Sequence, residues 1–254
     1  MFIDTHAHLN ETVFEEKIDR VIGMAKKALV DACIVPAYDF NSLERTARLA
    51  SNNPGFVFPA FGIHPWFVDE QDDVNVLKTY LKRGDAVAVG EIGLDFGIGF
   101  NNQDRQIRLF IEQLDLALVY QLPVIIHCRR AFETLYQVLS GYQGKIRGVM
   151  HSFSGTRELM ERFIDLGFYI SFSGSVTRKS ARKYHKNATA VPRDRYLIET
   201  DAPSIATETT VASEVEPRHI FEIANKIAEL RNVKVEDIGR DSTDNAKRLF
   251  KIAV

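Results

Sequence analysis

The residues best suited to chemistry in this chain are histidines and carboxylates that directly follow short apolar runs. His6 and His8 come after the first run, and because they lie two residues apart on an extended strand, both side chains face the same side. Further candidates stand at the ends of later runs: Glu91, His127, His151 and Asp201. Imidazole and carboxylate groups are ligands for Zn²⁺, Mn²⁺ and Mg²⁺. These donors are too many for one tetrahedral ion, so we predict two divalent cations that share a carboxylate and keep positions open for water.

Each of these residues also has a purely structural interpretation. A single histidine at a strand end is often only hydrogen-bonded within the core, and His64 in the run Gly62–Pro65 fits that description as well as a functional one. For the whole set, however, chance would have to place ligand side chains after several unrelated runs, so we favour the metal site. Cys128 follows His127 and should point away from the same side, which indicates a packing residue.

Basic residues near the predicted site would suit an anionic substrate. Arg129 comes shortly after His127, and a guanidinium group beside two cations can bind a phosphate through two hydrogen bonds. We therefore predict that Arg129 and His64 hold the substrate. A second basic stretch, Arg178–Lys186, follows the seventh apolar run, in the region where barrels often bind phosphate. Charged runs are also commonly just solvated helix faces, and for this stretch both interpretations stay open.

These residues must be brought together by the elements between them. Short runs rich in apolar residues alternate with longer segments of helical period. The runs are Phe2–Thr5, Ala32–Pro36, Val57–Phe61, Ala86–Gly90, Pro123–Ile126, Arg147–Met150, Phe168–Phe172 and Tyr196–Ile198. Runs of this kind, buried on both faces, predict a parallel sheet, and a single-domain (β/α)₈ TIM barrel over residues 1–254 fits them better than an open sheet. In a barrel the C-terminal ends of all strands open on one face, so the candidate ligands would converge on one cavity.

Local signals predict the positions of several helices. Within Asn102–Tyr120, apolar residues recur at the spacing of a helix that lies against a sheet. Asn41 followed by Glu44 resembles a capping box at the start of the second helix. Pro217 suits the first turn of the eighth helix, where a missing N–H group costs nothing. A last helix near Asp244–Ile252 is expected to close the bottom of the barrel.

Composition limits the class of protein. A formal net charge of −2 argues against a surface coated in basic residues that grips long duplex nucleic acid. No apolar run approaches the roughly 20 residues that span a bilayer, and Met1 leads into the first apolar run without a signal segment. The two cysteines have neither metal-type spacing nor the number needed for a disulfide framework. We expect a cytoplasmic monomer with no membrane partner.

Longer motifs surround the candidate residues. They are D-x-H-x-H at Asp4–His8, G-x-H-P at Gly62–Pro65, V-G-E-I-G-L-D at Val89–Asp95, the spaced residues Gln106, Phe110, Gln113 and Ala117, then Leu122–Val124, His127–Arg129, His151–Gly155 and Glu199–Pro203. Together they cover nearly the whole chain in order, and the segments Val89–Asp95 and Glu199–Pro203 are highly distinctive. In these motifs the sequence resembles the TatD family of metal-dependent deoxyribonucleases, in the amidohydrolase superfamily.

The resemblance implies a role for each candidate. It assigns His6, His8 and Asp201 to the first cation, His127 and His151 to the second, and Glu91 to a bridge between both. Members of the family are described as Mg²⁺- or Mn²⁺-assisted nucleases, some of them exonucleolytic, and some as deacylases of D-aminoacyl-tRNA. Asp201 and Glu91 would be the catalytic residues, with Asp201 as general base for a metal-activated water. Glu199 would either point to the opposite side or support the ligands.

One loop departs from the family pattern. Before Glu216 and Pro217, where members usually carry a basic, Asn-containing loop, this chain has the acidic-to-neutral loop Thr207–Val215. We therefore predict a deoxyribonuclease that cleaves phosphodiesters at free or single-stranded ends. The alternative is a hydrolase of another ester or amide, such as D-aminoacyl-tRNA. Relatives that act on cyclic amides often bridge their metals with a carboxylated lysine, and Glu91 at the bridging place favours the nuclease. An inactive binding scaffold is disfavoured because every expected ligand is present.

Overall fold

The computed structural model describes residues 1–68, 73–97 and 101–254, and its strands form one parallel sheet. The strands are β1 Phe2–Asp4, β2 Val30–Pro36, β3 Val57–Phe61, β4 Ala88–Asp95, β5 Val124–Arg129, β6 Gly148–Met150, β7 Tyr169–Phe172 and β8 Tyr196–Ile198. Each strand pairs in parallel with the next one along the chain. Backbone hydrogen bonds nearly close the sheet, since Thr5 donates to Ile198 at 3.3 Å and Asp201 donates to His6 at 2.8 Å. The predicted TIM barrel, a single domain, is confirmed.

Helices alternate with these strands and form the outer layer. They are α1 Ile18–Lys27, α2 Phe40–Asn52, α3 Asn75–Leu81, α4 Gln103–Tyr120, α5 Phe132–Ser140, α6 Arg157–Asp165, α7 Arg182–Ala190, α8 Ile220–Arg231 and α9 Val235–Phe250. Helix α4 occupies the predicted segment. Pro217 begins a 3₁₀ turn, Pro217–His219, that runs directly into α8, as its first-turn position requires. No helix in the described parts of the chain combines the length and apolar character needed to cross a bilayer.

The apolar core has two layers, one on each side of the sheet. Inside the barrel, small and branched side chains such as Ala32, Ile125 and Leu197 fill the space between the strands. Leu249 and Phe250 of α9 belong to this inner cluster, so the last helix closes the barrel at the end away from the candidate ligands. The larger, outer layer lies between strands and helices. The last helix is therefore where the sequence predicts it, although it begins earlier, at Val235.

The structure corrects two local predictions. The capping box of α2 is formed by Asp39 and Ser42 and not by Asn41 and Glu44, because the backbone of Asp39 is still extended and its side chain accepts from the Ser42 N–H group at 2.6 Å. Strand β4 does not end at Gly90 but continues to Asp95, so Glu91 lies within the strand. Similarly, His127 lies within β5.

Candidate metal centre

The predicted site residues meet in one cavity at the C-terminal end of the barrel. This cavity has a volume of about 380 Å³. Its lining includes His8, His64, Glu91, His127, Arg129, His151 and Asp201. His6 is fully buried beneath it, with its Nε2 atom 3.2 Å from Glu91 Oε2. The convergence expected from the strand ends is therefore present in the structure.

Glu91 stands at the middle of this group, and its two carboxylate oxygens face different neighbours. Oε2 lies 3.2 Å from His6 Nε2 and 3.6 Å from His8 Nε2. Oε1 lies 3.1 Å from His127 Nδ1 and 3.8 Å from His151 Nε2. The side chain is only 4% exposed. A buried carboxylate divided in this way between two sets of imidazoles is suited to bridge two cations.

One set of donors, the β1–β8 half, consists of His6, His8 and Asp201. The Nε2 atoms of His6 and His8 lie 3.1 Å apart. Asp201 Oδ1 lies 3.8 Å from His6 Nε2 and 3.4 Å from His8 Nε2. Four ligands at roughly 2.1 Å from a tetrahedral ion would be separated by about 3.4 Å. The observed separations, together with those to Glu91 Oε2, match that spacing, so these donors fit one divalent cation.

The other set, the β5–β6 half, consists of His127 and His151. Each is held from behind by a buried carboxylate: His127 Nε2 lies 3.1 Å from Asp95 Oδ2, and His151 Nδ1 lies 2.7 Å from Glu199 Oε1. A carboxylate that accepts the N–H group of one ring nitrogen leaves the lone pair of the other free for a metal. The nitrogens on the other side of each ring, His127 Nδ1 and His151 Nε2, both face Glu91 Oε1.

The sequence analysis assigned no role to Asp95 and left the role of Glu199 open. Asp95 was only the last letter of a motif, whereas in the structure it accepts hydrogen bonds from Trp66 Nε1 at 2.7 Å and the Gly97 N–H group at 2.8 Å. Glu199 points towards the site and supports it, since it also accepts from the Ser152 N–H group at 2.7 Å. Each of these carboxylates lies in the same motif as a candidate ligand, and this proximity was the sequence signal that could have identified them.

His64 lies beside the β5–β6 half, with its Nε2 atom 3.5 Å from Glu91 Oε1. Its Nδ1 atom accepts a hydrogen bond from the Trp66 N–H group at 3.2 Å. A neutral imidazole that accepts at Nδ1 carries its proton on Nε2. His64 therefore presents a donor to the cavity, which suits contact with an anionic oxygen better than it suits a metal ion.

The buried charges in the centre shift the pKa values of these groups. Burial and the nearby His127 lower the pKa of His64 to about 3, so this ring is neutral at pH 7. Burial would also depress the pKa of His151, but the surrounding carboxylates, Glu199 first, outweigh it and raise that pKa to about 10. Burial would raise the pKa of Glu91, yet the facing histidines hold it well below its usual range. The Glu91 carboxylate is thus ionised, as a metal ligand must be.

Two glycines explain why Glu91 can occupy its position. A Cβ atom on Gly93, whose φ is +145°, would lie 2.0 Å from the His127 carbonyl oxygen. A Cβ atom on Gly62 would lie 2.6 to 2.9 Å from backbone atoms of Gly90 and Glu91. Only glycine allows β4 to approach β5 and the end of β3 so closely. The two glycines therefore bring Glu91 next to His64 and His127.

Two glutamines of α4 hold the backbone on either side of the cavity. Gln113 accepts from the Ile63 N–H group at 2.7 Å and donates to the Ile63 carbonyl at 3.0 Å. Gln106 does the same for Asp95, at 2.9 and 3.0 Å. The glutamines are seven residues apart, which is two turns of one helix face. They fix the segments that carry His64 and Asp95, a function the predicted apolar stripe of α4 did not reveal.

A buried carboxylate, Asp4, joins the two strands that carry the β1–β8 half. It accepts from the Thr200 N–H group at 2.9 Å and the Thr200 hydroxyl at 2.6 Å. The neighbouring backbone is paired as well, since the His8 N–H group donates to the Ala202 carbonyl at 2.8 Å. Burial raises the pKa of Asp4 to about 7 despite these hydrogen bonds. Asp4 therefore sets the separation of β1 and β8 without facing the cavity.

The basic residues lie further out. Arg129 lines the cavity with a side chain that is 53% exposed and an Nη1 atom 4.0 Å from Asp95 Oδ2. In the stretch Arg178–Lys186, Tyr184 lines the cavity, whereas the arginines and lysines are exposed to solvent. The loop Thr207–Val215 is tied to α8, where Glu222 accepts from the hydroxyls of three threonines. Cys128 packs against the outer apolar layer, but it also lines part of the cavity, so it is not turned wholly away from the site as predicted.

Comparisons with known proteins agree with this architecture. The family described as TatD related DNase matches residues 3–251. The chain is 35% identical to YabD of Bacillus subtilis, named a metal-dependent hydrolase, over 99% of this chain and 100% of that protein. It is 30% identical to TatD of a Pantoea species, named a 3′-5′ ssDNA/RNA exonuclease, over 98% of this chain and 99% of that one.

A solved structure is similar over the same length. The crystal structure of YjjV, a TatD homologue from Escherichia coli, superposes with a TM-score of 0.94 at 33% identity and covers 99% of this chain and 98% of its own. Family match, full-length relatives and fold all agree. On this basis the chain belongs to the TatD-related DNase family.

Proposed function

We propose that this protein is a divalent-metal-dependent hydrolase of ester bonds, and that its substrates are phosphodiesters of DNA with free or single-stranded ends. Its six metal ligands would be His6, His8, Glu91, His127, His151 and Asp201. The observation that carries the proposal is Glu91, whose oxygens lie 3.2 Å from His6 on one side and 3.1 Å from His127 on the other. Relatives named as metal-dependent hydrolase and exonuclease support it.

Two cations held by these residues would supply the chemistry of a two-metal hydrolase, a lowered pKa for a bound water and neutralised charge on the phosphate. Asp201 would be the general base that accepts a proton from that water, since Oδ1 lies 3.4 Å from His8 Nε2 and Oδ2 lies 3.7 Å from His151 Nε2. His64 would donate from Nε2 to a phosphate oxygen. Arg129, with its exposed guanidinium group, would bind a second one.

The shape of the site supports flexible ends as substrates. The proposed ligands lie at the floor of a cavity of about 380 Å³, where His8 is only 9% exposed. A scissile phosphate has to enter this cavity, and an unpaired end can bend into it at lower cost than the interior of a stiff duplex. A net charge of −2 also fits a short contact with nucleic acid better than a long one.

A substrate panel with Mg²⁺, Mn²⁺ and Zn²⁺ tests the proposal. The panel contains single-stranded oligonucleotides, closed circular duplex, a chromogenic phosphodiester and a carboxylic ester. We expect metal-dependent turnover of the phosphodiesters, fastest for single-stranded ends. Turnover of the carboxylic ester alone would show that the site acts on carbonyl carbon. Faster cutting of the closed circle than of oligonucleotides would show that free ends are not preferred.

A further inference from the structure

Trp66 stands out among the residues of the cavity because it is a large aromatic side chain left open to solvent. It lines the cavity and is 51% exposed. Exposed apolar residues are common on protein surfaces. An exposed tryptophan, however, leaves more apolar area in contact with water than most other side chains do. None of the roles described above uses the π-face of its ring.

The indole is held by a hydrogen bond at one edge, and about half of the residue stays exposed. Its Nε1–H group donates to Asp95 Oδ2 at 2.7 Å, and Asp95 is fully buried. Its backbone N–H group donates to His64 Nδ1 at 3.2 Å, and Pro65 begins the 3₁₀ turn that carries it. A ring held at one edge by a buried carboxylate loses little further freedom when a flat ligand stacks on it.

The ring also lies next to the proposed catalytic groups. Its centroid is 4.9 Å from the ring of His64 and 6.3 Å from that of His127. Phe67 and Tyr38, whose centroids are 5.7 Å apart, extend an aromatic wall at the ends of β2 and β3. The strand order places β6, β7 and β8 across the barrel mouth, and their loops line the same cavity with serine hydroxyls. One wall is therefore largely aromatic, whereas the other, the serine wall, carries Ser152, Ser154, Ser175 and Ser204 together with Tyr184 and Ile205.

We propose that Trp66 is a stacking platform for an unpaired nucleobase next to the scissile phosphate, with the sugar and phosphates directed to the serine wall. This inference rests on the proposed function. Every base has a π-face, so such a platform binds single strands without reading their sequence. A base inside a duplex is already stacked on its neighbours and cannot use it. The platform thus gives a physical reason for a preference for unpaired ends.

A purely structural role for Trp66 makes a different prediction. The indole could serve only to hold Asp95, and through it His127, by the Nε1 hydrogen bond. Trp66→Phe removes this hydrogen bond and keeps an aromatic face, whereas Trp66→Leu removes both. The two variants therefore separate stacking from positioning, and each serves as the control for the other.

The test compares two single-stranded oligonucleotides with holoenzyme: one natural, and one with abasic nucleotides at both ends. Stacking on an aromatic side chain strengthens binding by roughly 5- to 150-fold per base. We expect the KM of the wild type to be higher by such a factor for the abasic substrate. The ratio of the two KM values should collapse to about one in Trp66→Leu and persist in Trp66→Phe. Equal ratios in all three proteins would overturn the proposal.

Fluorescence separates this inference from the proposed function, because Trp66 is the single tryptophan of the chain. We expect the natural oligonucleotide, with nuclease-resistant phosphorothioate linkages, to quench the emission of the holoenzyme, and the abasic one to leave it unchanged. Cleavage of the unmodified oligonucleotides, without base-dependent quenching by the resistant ones, would refute the platform and keep the nuclease. Base-dependent quenching without cleavage of any phosphodiester would keep the platform and refute the nuclease.

Discussion

The two halves of the candidate metal centre are built differently. In the β1–β8 half, the candidate ligands are positioned where the barrel closes, by backbone hydrogen bonds that join the two segments and by Asp4, whose carboxylate accepts twice from Thr200. In the β5–β6 half, His127 and His151 are positioned by side chains, the carboxylates of Asp95 and Glu199. Glu91 belongs to both.

This difference has consequences for how each half responds to change. Backbone contacts at the closure of the barrel are shared with the fold, so disturbing them should cost stability. Side-chain contacts orient individual rings, so disturbing them should cost metal affinity and leave the fold intact. The predictions below use this contrast, in order of expected effect.

Glu91→Gln should weaken metal binding in both halves of the candidate centre at once. The amide removes the charge shared by two proposed sites, and loss of such coordination commonly costs at least 10- to 100-fold in activity. Stability should hardly fall, because converging metal ligands contribute little without their metal. Turnover, metal content and thermal unfolding measured on the same preparation check this. Glu15→Gln, at a carboxylate that is 66% exposed, is the control. Normal turnover with full metal content would show that Glu91 is not the bridge.

Asp95→Asn should affect the β5–β6 half alone. Asp95 accepts the hydrogen bond of His127 Nε2, and its loss leaves that ring free to turn. We expect about 10- to 100-fold weaker binding at one of two metal sites, measured by calorimetric titration of metal into the stripped protein. Asp85→Asn changes the same charge at an exposed position and should leave both sites intact. Equal weakening of both sites would contradict the division into halves.

Asp4→Asn should affect the β1–β8 half through the fold. The amide replaces one acceptor by a donor that faces the Thr200 hydroxyl, at a fully buried position. Leaving a buried donor without its acceptor costs about 1–3 kcal/mol, which chemical denaturation of the metal-free protein can measure. Unchanged stability would show that the closure of the barrel does not depend on Asp4.

The pH dependence of unfolding gives a second view of the same residue. Burial raises the pKa of Asp4 from 3.8 to about 7, so the folded protein binds a proton here that the unfolded chain releases. The resulting stability is fully present below pH 3.8 and is lost as pH rises to about 7. Asp4→Asn should remove this contribution, so the difference in stability between variant and wild type should shrink as pH rises through that window.

The exposed basic stretch lies outside both halves and should change binding without changing chemistry. Alanine at Arg178, Lys179, Arg182 and Lys183 removes cations that could follow a nucleic-acid backbone. A plot of log affinity against log salt has a negative slope. For each lost phosphate contact, the magnitude of this slope should decrease by about 0.7 for single strands and about 0.9 for duplex. Turnover of a small phosphodiester should persist. An unchanged slope would identify this stretch as a solvated helix face.

Much of the fold and the membership of the site followed from sequence. Apolar runs at regular intervals predicted all the strands in order, and the two-residue spacing of His6 and His8 placed both imidazoles on one side. Because parallel strands in a barrel open on one face, residues far apart in the chain could be assigned to one cavity. These features depend on the spacing of apolar residues and on the order of strands along the chain, and both can be inferred from a single sequence.

Tertiary structure alone decided the detail. His127 contacts Asp95, which is 32 residues away in the chain, and Gln113 hydrogen-bonds Ile63, which is 50 residues away. Such contacts depend on where separate segments meet within a fraction of an ångström, and no local pattern encodes that distance. The same holds for β4, which continues past Glu91 because glycine allows a neighbour to approach. The sequence thus determined which residues gather, and packing between distant segments determined the nitrogen or oxygen that each presents.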